Sequence, residues 1–110
     1  MGLERFPDAA IGLSDYVESV DTAVALGVND QRVRVYATTA SFNITLPPVG
    51  EAKGKIYSIV NRDTGTATYA ATIIDQGDAE VAVSIALDAD DDYAVLYSDG
   101  ISWFTLVTSA

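Results

Sequence analysis

Apolar and polar residues alternate along most of the chain. Residues 32–37, RVRVYA, place Val33 and Val35 on one side and Arg32, Arg34 and Tyr36 on the other. Residues 41–46, SFNITL, align Phe42, Ile44 and Leu46, and Pro47-Pro48 then stops the run, because a proline nitrogen cannot donate to a ladder. Residues 55–61, KIYSIVN, are apolar on both faces, the pattern of a central strand. Residues 68–75 carry Ile73 and Ile74, and residues 80–87 set Val81, Val83, Ile85 and Leu87 against Ala82, Ser84 and Ala86. Two further runs, 93–98 and 102–108, flank Asp99-Gly100. That pair predicts a hairpin with a type I′ turn, in which both central residues take positive φ. In the second run Trp103, Thr105 and Val107 share one face while Phe104 and Leu106 share the other, so both faces are expected to be covered. Residues 22–28 add a short strand. Strands at intervals of about 8–12 residues, punctuated by Gly, Pro and Asp, predict an all-β fold: an antiparallel β-sandwich or a barrel-like domain.

The start of the chain breaks the pattern. MGLERFPDAAIGLSDYVESV holds no sustained period of 2 or 3.6. It is read as an extended N-terminal arm over residues 1–18, followed by a β domain over 19–110. Leu3, Phe6, Ile11, Leu13, Tyr16 and Val17 make the arm too apolar for a solvated tail and too irregular for one helix face. These six residues are the candidate contacts of the arm with another subunit or surface.

Composition narrows the chemistry. At 110 residues the chain is one domain. It has no Cys, which excludes disulfides, thiolate metal sites and thiol catalysis, and no His, which removes the usual general base and the commonest zinc ligand. No apolar run approaches a membrane span, and no basic region followed by an apolar one opens the chain, so synthesis in the cytoplasm is expected. The net charge of −10 is unevenly laid out. Five of the six bases lie between Arg32 and Arg62, and beyond Arg62 there are nine acids and no base. Such a field disfavours nucleic acid and anionic membranes as partners. It serves solubility, or it lets a basic middle meet the acidic end of a neighbouring copy.

Three constellations could carry chemistry. Asp88, Asp90, Asp91 and Asp92 could ligate calcium, but Tyr93 stands where the EF-hand loop needs its glycine, and a solvated turn accounts for them better. Tyr16, Tyr36, Tyr57, Tyr69, Tyr93 and Tyr97 with Trp103 could form a sugar-stacking platform; their spread along the chain also suits core and interface positions. Carboxylate pairs could support glycoside hydrolysis, but no strand brings two acids to one cleft. No catalytic, metal or cofactor-binding residue is assigned, no cofactor is expected, and the chain is read as not an enzyme.

ITLPP (residues 44–48), GKIYSIVN (54–61) and YSDGISW (97–103) together resemble a β-domain pattern of bacteriophage virion-surface proteins, over roughly residues 19 to 107. That pattern occurs in tail-fibre segments and in small head-decoration proteins. The resemblance implies an all-β, usually trimeric, structural module without catalytic residues. The acidic LDADDD departs from it, and the arm has no counterpart in it. The expectation is a capsid decoration, or cement, protein. It would be a homotrimer on the virion surface with the major capsid protein as partner, stabilising the shell. The alternatives are a tail-fibre or receptor-binding module and a carbohydrate-binding β-sandwich. The chain shows no heptad run for a fibre shaft, which favours decoration.

Overall fold

A computed structural model describes residues 17–62 and 69–109. Every regular element among them is a strand: β1 (Val17–Val20), β2 (Val24–Ala25), β3 (Arg32–Tyr36), β4 (Phe42–Thr45), β5 (Ile56–Asn61), β6 (Ala71–Ile74), β7 (Ser84–Leu87), β8 (Asp92–Ser98) and β9 (Trp103–Thr108). They form a five-stranded sheet in the order β1-β3-β5-β8-β9 and a four-stranded sheet in the order β2-β4-β6-β7. The all-β expectation holds.

Both sheets are mixed, whereas the sequence pattern predicts an antiparallel fold. β1 and β5 flank β3 in parallel, and β2 and β6 flank β4 in parallel; only β5–β8, β8–β9 and β6–β7 are antiparallel. From β1 to β6 the chain steps from one sheet to the other with each strand, laying each new strand beside the one two places earlier. A parallel neighbour needs such a crossover, and here the crossover passes through the opposite sheet. The last three strands then fold back antiparallel and close both sheets.

The inward residues of both sheets meet in one core. Val33, Val35, Tyr57, Ile59, Ala94, Leu96 and Trp103 come from the five-stranded sheet, and Ile44, Ala71, Ile73 and Leu87 from the other. The predicted faces of β3 and β4 are the observed ones, whereas β5, read as apolar on both faces, buries the side of Tyr57, Ile59 and Asn61 and leaves Ile56 and Ser58 exposed.

Several boundaries differ from the pattern. β1 begins at Val17, so Val17 and Glu18, assigned to the arm by sequence, belong to the sheet, paired with Val33 and Arg34. β7 starts only at Ser84, because the preceding loop bonds elsewhere. Glu80 N donates to Ile101 O (2.9 Å) and Val83 N to Asp75 Oδ1 (3.1 Å), which leaves Val81 exposed.

The hairpin between β8 and β9 exists, but its loop has four residues. Ser98 pairs with Trp103, and Asp99 N donates to Ser102 O. Only Gly100 takes positive φ there (+95°), where an L side chain is strained. Asp99 instead uses its carboxylate, accepting from Ile101 N (2.9 Å) and Ser102 N (2.8 Å). That side-chain turn replaces the type I′ turn. The expected cover on both faces of β9 is not found among the described residues: beyond Trp103 every residue of the strand is exposed. β9 is an edge strand, and the second sheet does not reach its inward Thr105 and Thr108.

Candidate functional site

The three motifs behind the family resemblance come together in space. Ser98, at the end of β8, accepts from Gly54 N through its carbonyl (2.8 Å) and donates its hydroxyl to Val49 O (2.7 Å). Its hydroxyl also accepts from Gly100 N (3.0 Å). Leu46 and Pro47 are buried, Leu46 in the same core as Tyr57 and Trp103, and Lys53 lies so close to Gly100 that a Cβ there would stand 3.0 Å from its Cδ. Tyr57 and Trp103 meet edge to face, centroids 5.4 Å apart and planes at 72°, a favourable arrangement of ring quadrupoles. Tyr57 donates its hydroxyl to Val28 O (2.6 Å). Burial, then the nearby Asp30 charge, pushes the Tyr57 phenol above its ordinary pKa. Trp103 is thus a core anchor, and its indole N–H and the Ser102 hydroxyl are buried without a partner among the described residues.

Sequence reasoning missed two polar clasps. Asn61 is fully buried at the end of β5. Its Oδ1 accepts from Ala37 N (3.2 Å) and its Nδ2 donates to Leu87 O (2.9 Å), joining the two sheets through one side chain. Asp21 follows β1 at positive φ (53°), a conformation its short polar side chain tolerates. Its carboxylate accepts four bonds of 2.7 to 2.9 Å, from the N–H and hydroxyl of both Thr38 and Thr39. The Thr39 N–H, then the Thr38 hydroxyl, hold this carboxyl far below the usual range. The clasp ties the β1–β2 turn to the β3–β4 turn. An aspartate before two adjacent threonines far along the chain offers no periodic signal; only the fold brings them together.

The acidic run forms a turn. Asp92 Oδ2 accepts from Asp88 N (3.2 Å) and Ala89 N (3.0 Å), Asp91 takes positive φ (63°), and Arg62 Nε pairs with Asp91 Oδ1 at 2.6 Å. Among the described residues no group of three acids is gathered for a metal ion. Of the six arm residues, Val17 sits in β1 and packs against the core. Leu3, Phe6, Ile11, Leu13 and Tyr16 lie outside the described residues.

Among the described residues the outer face of the five-stranded sheet is left apolar and exposed. Ile56, Tyr93, Phe104 and Val107 on this face are 41–48% exposed; Val107, expected on the Trp103 face, stands with Phe104 because a bulge at Val95/Leu96 shifts the register of β9. Ile56 stands opposite Tyr97 and Tyr97 opposite Phe104, whose rings stack at 6.1 Å and 28°. Toward β1 the face turns basic. Arg32 and Arg34 line a shallow groove of about 290 Å³ with Val33, Ser58 and Val60. Arg34 reaches Glu18 at 3.8 Å, and Tyr36 donates to the same carboxylate.

What the fold and this surface define is an all-β globule of two mixed sheets with an uncovered apolar face. No family model matches the chain, and neither a curated protein nor a solved structure is found similar to it. The resemblance to virion-surface domains therefore rests on the three motifs alone.

Proposed function

We propose that this chain is a structural binding module that acts by assembly and does no chemistry: a capsid decoration protein of a bacteriophage, forming a homotrimer on the outer shell. The observation that carries the reading is the outer face of the five-stranded sheet, which exposes Ile56, Tyr93, Phe104 and Val107 on a chain of net charge −10. A contiguous apolar patch on so charged a chain marks an interaction surface. The motifs ITLPP, GKIYSIVN and YSDGISW supply the virion context, and their residues in one shared core fit a scaffold that holds this face in place. The sheets have separate edges, β1 and β9 in one and β2 and β7 in the other, which favours a sandwich over a barrel.

Each trimer would bridge neighbouring shell subunits and stabilise the assembled state by linkage, since it binds that state alone. Residues 1–16, with Leu3, Phe6, Ile11, Leu13 and Tyr16, would dock on the major capsid protein. Cryo-electron microscopy of virions carrying this chain tests the reading: density at the three-fold positions of the shell is expected, and shells lacking the chain should rupture at lower temperature. Density confined to the tail, with shells indifferent to its loss, would overturn decoration in favour of a receptor-binding module. Because β1 starts at Val17, removing residues 1–16 is the clean test of the arm. The truncated chain should fold and fail to bind shells; unimpaired binding contradicts the proposal.

The near-parallel Tyr97 and Phe104 rings favour carbohydrate binding as a second reading. It requires retention on a glycan array that is lost in Phe104→Ala.

A further inference from the structure

The five-stranded sheet has two free edges as well as a bare face. Its edges differ from those of the second sheet. There β2 has two residues and β7 four, short edges that offer little to a partner, whereas β9 has six and carries neither charge nor proline. Among the described residues no strand pairs with the free side of β9, and an uncharged edge of that length is a template for another strand. At the opposite edge β1 leaves its own outer side without a strand. β1, β3 and β5 run in one direction, β8 reverses it and β9 reverses it again, so the two edges point the same way.

The bare face bears on how many copies can meet. The outward positions of β5, β8 and β9 carry no charge, and depletion of charge beside aromatic residues distinguishes the centre of an interface from ordinary surface. The charges of the face stand on β1 and β3, where Arg34 is already paired with Glu18 at 3.8 Å and neither arginine is free. Glu18 is the sole acid at an outward position of these strands, so copies of a chain of net charge −10 can approach here without bringing their acids together. Five strands make a face about 24 Å wide and about 20 Å long. Two copies stacked on this face leave every edge free. Three sheets joined edge to edge enclose a triangular prism whose axis lies about 7 Å from each sheet, and four would stand about 12 Å from theirs and leave an open channel. Facing sheets pack about 10 Å apart, so each contributes about 5 Å of side chain, and long rings such as Tyr97 and Phe104 reach further. Three copies therefore fill the space that their edges enclose. Their faces together remove roughly 1,400 Å² from solvent, the size of a specific interface, before the paired edges are counted.

We infer that β9 of one copy pairs in parallel with β1 of the next, and that three copies close a ring with the outer faces of their five-stranded sheets turned to the three-fold axis. Such a contact is heterologous, and a rotation that closes makes it a ring and not a filament. The inference rests on the trimeric reading above and adds which surfaces meet.

The chain has no cysteine, so introduced thiols report the contact. Ser19→Cys on β1 is combined in turn with Thr105→Cys and with Thr108→Cys on β9, and each full-length variant is treated with a short bismaleimide. At least one combination should give a covalent trimer on a denaturing gel, while each single variant gives none. Amide hydrogen exchange of β1 and β9 should slow as the unaltered chain associates. Phe104→Lys brings three ammonium groups toward the axis. That variant should sediment as a monomer at concentrations where the unaltered chain is a trimer, with its circular dichroism unchanged because Phe104 is half exposed. If it unfolds, the cross-links and the exchange decide. A covalent dimer from a single β9 thiol would show β9 paired with its own equivalent across a two-fold axis and would overturn the ring. A trimer that survives Phe104→Lys and gives no cross-link in either combination keeps the trimeric reading and overturns this arrangement of it. A monomeric unaltered chain overturns both.

Discussion

The two faces of the five-stranded sheet are built from the same strands and have opposite characters. On the inner face Tyr57, Ile59, Asn61, Leu96, Ser98 and Trp103 are buried, and Asn61, Ser98 and the Tyr57 hydroxyl all find partners within the chain. On the outer face Ile56, Tyr93, Phe104 and Val107 stand open. Alternation along each strand guarantees two faces but says nothing of what covers them. The inner face is completed by the second sheet. Among the described residues the outer face is apolar without a second layer, and that asymmetry is the strongest pointer to assembly.

The comparison can be broken from the inside first. Trp103→Ala removes the largest anchor of the junction and should cost about 3–5 kcal/mol, read as a lower denaturation midpoint. Trp103→Phe should cost much less, since the indole N–H has no partner to lose among the described residues. A similar loss in both would mean that the indole bonds to something essential. Asn61→Ala strands Ala37 N and Leu87 O in the core, and each abandoned group should cost about 1–3 kcal/mol. Tyr57→Phe keeps the ring contact with Trp103 and removes only the bond to Val28 O, a loss of about 1 kcal/mol.

Acid probes the turns. Hydrogen bonds hold the Asp21 carboxyl, and to a lesser degree that of Asp99, below the ordinary carboxylate range; for Asp99 the donors are Ser102 N–H and then Ile101 N–H. A depressed folded-state value means that the stabilisation is present above about pH 4, where the unfolded carboxyl is ionised, and is lost as pH falls through the lower folded value. Asp75 behaves similarly. Burial disfavours its charge, but N–H groups of Val83 and Gly77 outweigh that. Asp21→Asn should flatten the acid limb of a stability–pH profile; an unchanged limb would remove the clasp from the account. The smallest effect belongs to the outer face. Phe104→Lys should move the stability of the isolated chain by no more than about 0.5 kcal/mol. A large loss there would show that the ring supports its own fold and is not reserved for a partner.

Much of this was legible in the sequence. β3, β4, β5 and β8 announce themselves because their inward residues alternate over enough positions to be counted. Strand direction does not, since parallel and antiparallel strands share a period of 2. The parallel steps escape even a search for repeats. Val17 faces Val33 and Val33 faces Ile59, while Val24 faces Ile44 and Phe42 faces Ala71, so no two spacings agree. β1 is too short for its alternation to stand out from the apolar residues before it. Asp99-Gly100 marked the hairpin correctly, but a carboxylate that caps two N–H groups chose the longer loop. The outer face was half visible: the two-faced pattern of β9 is in the sequence, and its lack of cover is a property of where β9 lies in the sheet.

Hydroxyl-radical footprinting across a range of protein concentrations tests the contrast between the faces most directly. The account predicts that oxidation of Tyr93, Tyr97 and Phe104 falls as concentration rises, while Tyr57 and Trp103 stay protected throughout. Oxidation of the three outward rings that does not change with concentration would contradict it.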